Sequence, residues 1–132
     1  MLSLKLKQTS GKLPTSEYEL FDGELMTGKI QIRHAPSYGI GIPERMASHI
    51  YYEILPEYRR KGYGKQILAL GLTEAEKIGL KEISITCMED NLGSKRIIEH
   101  NGGVFIDAAF ISTEDQNMLL YRIPLRNTNQ VM

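Results

Sequence analysis

Leu2, Leu4 and Leu6 alternate with polar residues, the two-residue period of a strand with one apolar face. The alternation returns between Glu17 and Arg33, where Asp22-Gly23 interrupts it and Ile30 and Ile32 close it, so this segment reads as a hairpin. From Ala35 to about Ala47 the pattern lapses. Pro36, Gly39, Gly41 and Pro43 predict a loop there, long enough to serve a function beyond connection. Ile50, Tyr51, Tyr52 and Ile54 then predict a strand over 48–55, which Pro56 ends because it has no N–H to donate.

After Gly64 the period changes from two to about 3.6. Ile67, Leu68, Leu72, Ala75 and Ile78 fall on one helical face, and Gly79 is the expected C-cap. Lys81 to Met88 is a strand with Ile83, Ile85 and Cys87 on one side. A short helix follows, opened by Asp90 or Asn91, burying Ile97 and Ile98 and ended by Asn101-Gly102-Gly103. Two last strands, roughly 104–111 and 118–125, flank the polar turn 112–116. The pattern predicts a single α/β (α+β) domain over residues 1–132.

Composition narrows the function classes. The 16 Lys and Arg balance 16 Asp and Glu, so no global field draws the chain to nucleic acid or to an anionic membrane. Any anion site must be local. The one cysteine, Cys87, rules out an internal disulfide and a multi-cysteine zinc site; no metal is expected, and a reducing compartment fits. The first fifteen residues hold no unbroken apolar run, and no segment approaches the roughly 20 apolar residues that span a bilayer. A cytoplasmic protein without membrane attachment is expected.

The chemistry concentrates at Arg59-Arg60-Lys61-Gly62-Tyr63-Gly64, between a strand and a helix. Gly62 and Gly64 lack the Cβ atoms that would keep an anion from the backbone, and the helix N-terminus behind them offers unpaired N–H groups. Arg59, Arg60, Lys61 and Lys65 add positive charge, which suits a pyrophosphate. The spacing is not that of a P-loop, and a third glycine of the dinucleotide fingerprint would fall at Ile67. Lys61-Gly62-Tyr63-Gly64 also matches the opening of an RNA-binding RNP1 segment, but Lys65 and Gln66 break that match and a helix follows where a strand is required.

The pattern Arg-x-x-Gly-x-Gly after Ile54-Leu55-Pro56 resembles motif A of the GNAT acetyltransferases, and the segment from Asn91 to Gly103 resembles their motif B; the likeness runs from about His49 to Phe105. The resemblance implies a mixed central sheet of about six to seven strands, a long motif A helix and a short motif B helix. It implies acetyl-CoA as co-substrate, lying between two splayed parallel strands, here 48–55 and 81–88. Backbone groups of Tyr52, Glu53 and Ile54 would meet the pantetheine arm and acetyl carbonyl. Arg59, Arg60, Lys61, Gly62, Tyr63, Gly64 and Lys65 would cradle the pyrophosphate, and Asn91 would reach the cofactor from the other wall. The partner would be a small-molecule or peptide amine, acetylated by direct attack in a ternary complex.

Two positions depart from the family pattern. The tyrosine that often protonates the leaving thiolate from the motif B helix is matched by Ile98, and a glutamate base of one branch is matched by Thr86. Glu53 is then the candidate catalytic base, although strand alternation turns it to the face opposite Tyr52 and Ile54 unless a bulge intervenes. The helix pair that usually follows the first strand has no room between Gln8 and Glu17. The acceptor wall would come from the loop 35–47, or from a second copy in a homodimer, or be absent in a shortened form. A CoA-binding sensor without turnover is the alternative reading on the same fold.

Overall fold

The computed structural model describes residues 2–10 and 14–125. β1 (Leu2–Ser10), β2 (Thr15–Asp22), β3 (Leu25–Ser37) and β4 (Ser48–Ile54) form an antiparallel sheet in chain order. The β2–β3 turn is Gly23-Glu24, with Gly23 at φ +62°, a value that favours glycine. β5 (Glu82–Met88), β6 (Val104–Ile111) and β7 (Gln116–Pro124) form a second antiparallel sheet with β7 in the middle. Between the sheets runs α1 (Tyr63–Ile78), ended by Gly79, whose N–H reaches the Ala75 and Glu76 carbonyls; α2 (Leu92–His100) follows β5.

The seven strands and two helices are those the periodicity predicts, with one shift. β3 runs on to Ser37, inside the segment expected to be loop, and rejoins β4 at Ser37–Ser48 after an irregularity that begins at Ile32. Pro36 is tolerated because its missing N–H falls within that irregular stretch. The remaining loop is shorter, and Glu44–Met46 forms a 3-10 turn within it.

Two clusters hold the layers together. Ile30, Ile32, Ile50, Ile83, Ile85, Tyr121 and Ile123 face Ile67 and Leu68 of α1 and Ile98 of α2. On the other face of the second sheet a smaller cluster joins Met46 to Ala109, Ile111 and Leu120, so the loop packs down on the sheet. Arg45 adds an ion pair with Asp107 and a bond to the Ala108 carbonyl at 3.2 Å. That guanidinium holds the Asp107 carboxyl below the usual range. Among the described residues no helix is long and apolar enough to cross a membrane.

Candidate active site

β4 and β5 lie side by side but in different sheets, so the hydrogen-bond ladder is interrupted between them. At one end of this split the Ser84 N–H donates to Nδ1 of His49 at 2.9 Å. At the other, the Tyr52 hydroxyl is 3.0 Å from Ser94 Oγ, just beyond β5. The two strands therefore run in the same direction, closed at their starts and open toward their ends. An imidazole replaces a ladder bond where the strands begin to part.

His49 must be unprotonated at Nδ1 to accept that bond. It is only 8% exposed, and burial pushes its pKa down, aided by Arg33 and opposed by Glu82. The unfolded chain, with histidine near pH 6.5, then binds the proton more readily than the folded one. The His49 contribution to stability is expected to be complete above about pH 6.5 and lost as pH falls through the lower folded value. Urea midpoints measured from pH 7.5 to 5 test this. His49→Asn, which keeps an acceptor oxygen without titrating, should flatten the slope; an unchanged slope would refute the assignment.

A cavity of about 490 Å³ opens on the helix side of the split, lined by Tyr52, Glu53, Ile54, Arg59, Arg60, Tyr63, Gly64, Asn91, Ser94 and Ile97 among others. The Arg59 Nε–H donates to the Ile54 carbonyl at 3.0 Å, tying the turn to the end of β4. Arg60 and Gly62 have φ of +63° and +85°, so the turn coils before α1 begins. No side chain caps the first turn of α1, which leaves its N–H groups for a ligand.

The two glycines have different reasons. Around Gly62 nothing lies within 4 Å of a built Cβ, and its requirement is the positive φ; at Gly64 a Cβ would stand 2.6 Å from Ile97 Cδ1, so Gly64 lets α1 approach α2. The turn fits a pyrophosphate: open space over a backbone concavity, two arginines and an uncapped helix start.

The other expected cradle residues are placed unequally. Lys61, Gly62 and Lys65 are exposed and do not line the cavity; Lys61 Nζ stands 5.9 Å over the Tyr58 ring. Tyr63 donates to Asp22 Oδ2 at 2.7 Å, pinning α1 to the β2–β3 turn and drawing the Asp22 carboxyl down and the phenol up. Asn91 Oδ1 accepts from the Ser94 N–H at 3.0 Å, which fixes the side chain and leaves its amide N–H groups free to face a ligand.

A second cavity, also about 490 Å³, is walled by Tyr38, Gly39, Ile42 and Met46 of the loop and by Arg33, Ser37, Ser48, Ile50, Ile85, Thr86, Cys87, Met88 and Met118 of the strands. Tyr51, Tyr52, Asn91 and Ser94 line both cavities. The loop after β3 thus contributes Tyr38, Gly39, Ile42 and Met46 to this cavity. Burial raises the Tyr52 phenol, with the Ser94 bond acting against it.

The Glu53 carboxylate lies on the face of β4 opposite Tyr52, 3.9 Å from Lys29 Nζ. It is the one carboxylate among the residues lining the two cavities. Outside both cavities, His34 Nε2 is 2.9 Å from Ser16 Oγ, and Glu89 accepts from Asn117. Burial pushes the Cys87 thiol up, which suits a packed residue.

Sequence reasoning missed three residues here: Ser94, the Tyr52 hydroxyl as distinct from its backbone, and Arg33. Ser94 could have been found as the third residue after the Asn91 cap, where a short side chain faces what the cap faces. Arg33 carries no local signal, because its position follows from pairing across three strands.

Solved structures with a similar fold include acetyltransferases. The ribosomal-protein-S18-alanine N-acetyltransferase of Escherichia coli superposes with a TM-score of 0.71 at 13% identity, over 100% of this chain and 99% of that one. The Salmonella typhimurium protein yncA, solved with its cofactor acetyl-CoA, gives 0.67 at 15% over 86% and 66%. A variant of the Vibrio cholerae spermidine N-acetyltransferase SpeG gives 0.65 at 19% over 83% and 65%. At these identities the likeness is one of fold. No curated protein matches the sequence. The model of the acetyltransferase (GNAT) family, however, matches residues 19–102, and the chain belongs to that family.

Proposed function

We propose that the chain is an N-acetyltransferase that moves the acetyl group of acetyl-CoA to an amine by direct attack within a ternary complex. The observation that carries this reading is the pair of cavities at the β4–β5 split, which meet at Tyr52 and Ser94. One side offers an anion cradle and the other a separate space for an acceptor, so both substrates can be bound at once. Acetyl-CoA supplies an acyl group activated as a thioester.

In the proposed reaction the amine nitrogen bonds to the acetyl carbon, the C–S bond breaks and the thiolate leaves. Arg59, Arg60 and the backbone of the turn, with Lys61, Gly62, Tyr63, Gly64 and Lys65, hold the pyrophosphate side; backbone groups of Tyr52, Glu53 and Ile54, with the Asn91 amide, orient the arm. A lysine-like amine is neutral in only about one molecule in a few thousand at pH 7. Glu53, which borders the CoA-side cavity and not the acceptor side, takes that proton through water. The proton for the leaving thiolate comes from the Tyr52–Ser94 pair, the hydroxyls at the junction, since position 98 holds a fully buried isoleucine. The cytoplasm fits, because the single thiol is buried and unpaired.

Calorimetric titration with acetyl-CoA, followed by thiol release across a panel of amines, tests the proposal. Binding with turnover is expected. Binding without turnover on any amine would make the chain a CoA-binding sensor, and absence of binding would sink both readings.

A further inference from the structure

We infer that the acceptor is an amine that also carries a carboxylate, and that Arg33 binds that carboxylate at the far end of the acceptor cavity. The inference rests on the cavity across the split from the CoA cradle being the acceptor site. Arg33 is the one charged side chain lining that cavity, and no Asp or Glu lines it. A site built for a polyamine would present carboxylates to its several positive charges, and this wall presents a cation instead.

Among the described residues Arg33 is not held by a carboxylate, unlike Arg45 and Arg122. Arg45 has Asp107 and Arg122 has Glu82 at 2.8 Å. Its NH1 is 3.3 Å from the Ser48 carbonyl and 3.5 Å from Ser48 Oγ. Those contacts fix the guanidinium beside the start of β4 and leave its other N–H groups for a planar, two-oxygen partner. A phosphate could be held by the same fork, but the cavity's walls include Met46, Met88 and Ile42, which suit a monoanion on an apolar stem.

The distance selects the length of that stem. Ser48 and Tyr52 are four residues apart on an extended strand, about 13 Å. A carboxylate at Arg33 and an amine at the Tyr52–Ser94 pair therefore sit several ångströms apart along β4. An α-amino acid's own amine and carboxylate are too close together. A chain of four or five methylenes fits, and so does a dipeptide, at about 3.3 to 3.6 Å per residue.

Titration of the CoA-saturated protein with matched pairs decides the matter: 6-aminohexanoate against 6-aminohexanamide, and glycylglycine against its carboxamide, with spermidine as the polyamine. Each carboxylate is expected to bind at least tenfold more tightly than its carboxamide, and the tighter of the two carboxylates identifies the source. Arg33→Met should reduce that ratio to below threefold while acetyl-CoA affinity is unchanged, and Arg33→Lys should retain part of it, because an ammonium keeps the charge and loses the fork.

Equal binding of carboxylate and carboxamide, tighter binding of spermidine, no binding of either carboxylate, or a ratio unaffected in Arg33→Met would each overturn the inference. The wild-type comparison stands even if a variant fails to fold. Discrimination without thiol release would keep the carboxylate site and sink the transfer reaction; thiol release with equal use of the carboxamides would do the reverse.

Discussion

Gly62→Glu is expected to abolish acetyl-CoA binding. Gly62 stands at φ +85° immediately before α1, and nothing lies within 4 Å of a built Cβ, so a side chain there finds room but not a relaxed backbone. The backbone cost is about 1–3 kcal/mol. The larger effect is electrostatic: the carboxylate would occupy the open space over the uncapped helix start, where the proposed pyrophosphate brings like charge.

Gly62→Ala separates the two effects, since it carries the strain without the charge. In wild-type protein at a hundredfold excess over Kd, acetyl-CoA should stabilise by about 2.7 kcal/mol. That melting shift should persist in Gly62→Ala from a lowered baseline and vanish in Gly62→Glu. If Gly62→Glu keeps the shift, the cradle is misplaced.

The second large effect is expected from Tyr52→Phe. Its hydroxyl is 3.0 Å from Ser94 Oγ where the two cavities meet, and burial keeps the phenol protonated through the neutral range. If this pair supplies the proton to the leaving thiolate, removing the phenol should lower kcat about 100-fold, the lower end of the usual range for acid catalysis. Acetyl-CoA affinity should be unchanged within twofold, because the CoA cradle lies mainly at the 59–64 turn. Ser94→Ala should cost less, since the phenol remains. A kcat within twofold of wild type for Tyr52→Phe would show that the proton comes from elsewhere, and the CoA-binding result keeps that outcome distinct from a collapsed site.

The anion turn is legible in the sequence because its signals are local. Two glycines, flanking cations, a proline behind and a helical period ahead fall within a dozen residues, and each acts through backbone geometry over one or two turns. The reason for the glycine at 64 is not legible there. It depends on Ile97 of a second helix arriving 2.6 Å from a Cβ that is not there. Prolines and glycines mark the loop as more than a connector, yet its first residues are strand, because Ser37 finds a partner in Ser48 that no local pattern announces. Glu53 shows the same limit: alternation assigns its face, and only pairing across β3 puts Lys29 beside it.

Sequence alone determined the α/β class, the seven strands and two helices, and a glycine-rich turn resembling that of the acetyltransferases. Period, caps and turn residues act between neighbours a few positions apart, so one chain suffices to read them. Tertiary structure decided the rest: the split closed by His49 and Ser84, the loop that walls the second cavity, the meeting of Tyr52 with Ser94, and an arginine lining a cavity without a carboxylate. These depend on sheet register and on long-range packing, in which residues 35 to 42 positions apart become hydrogen-bond partners.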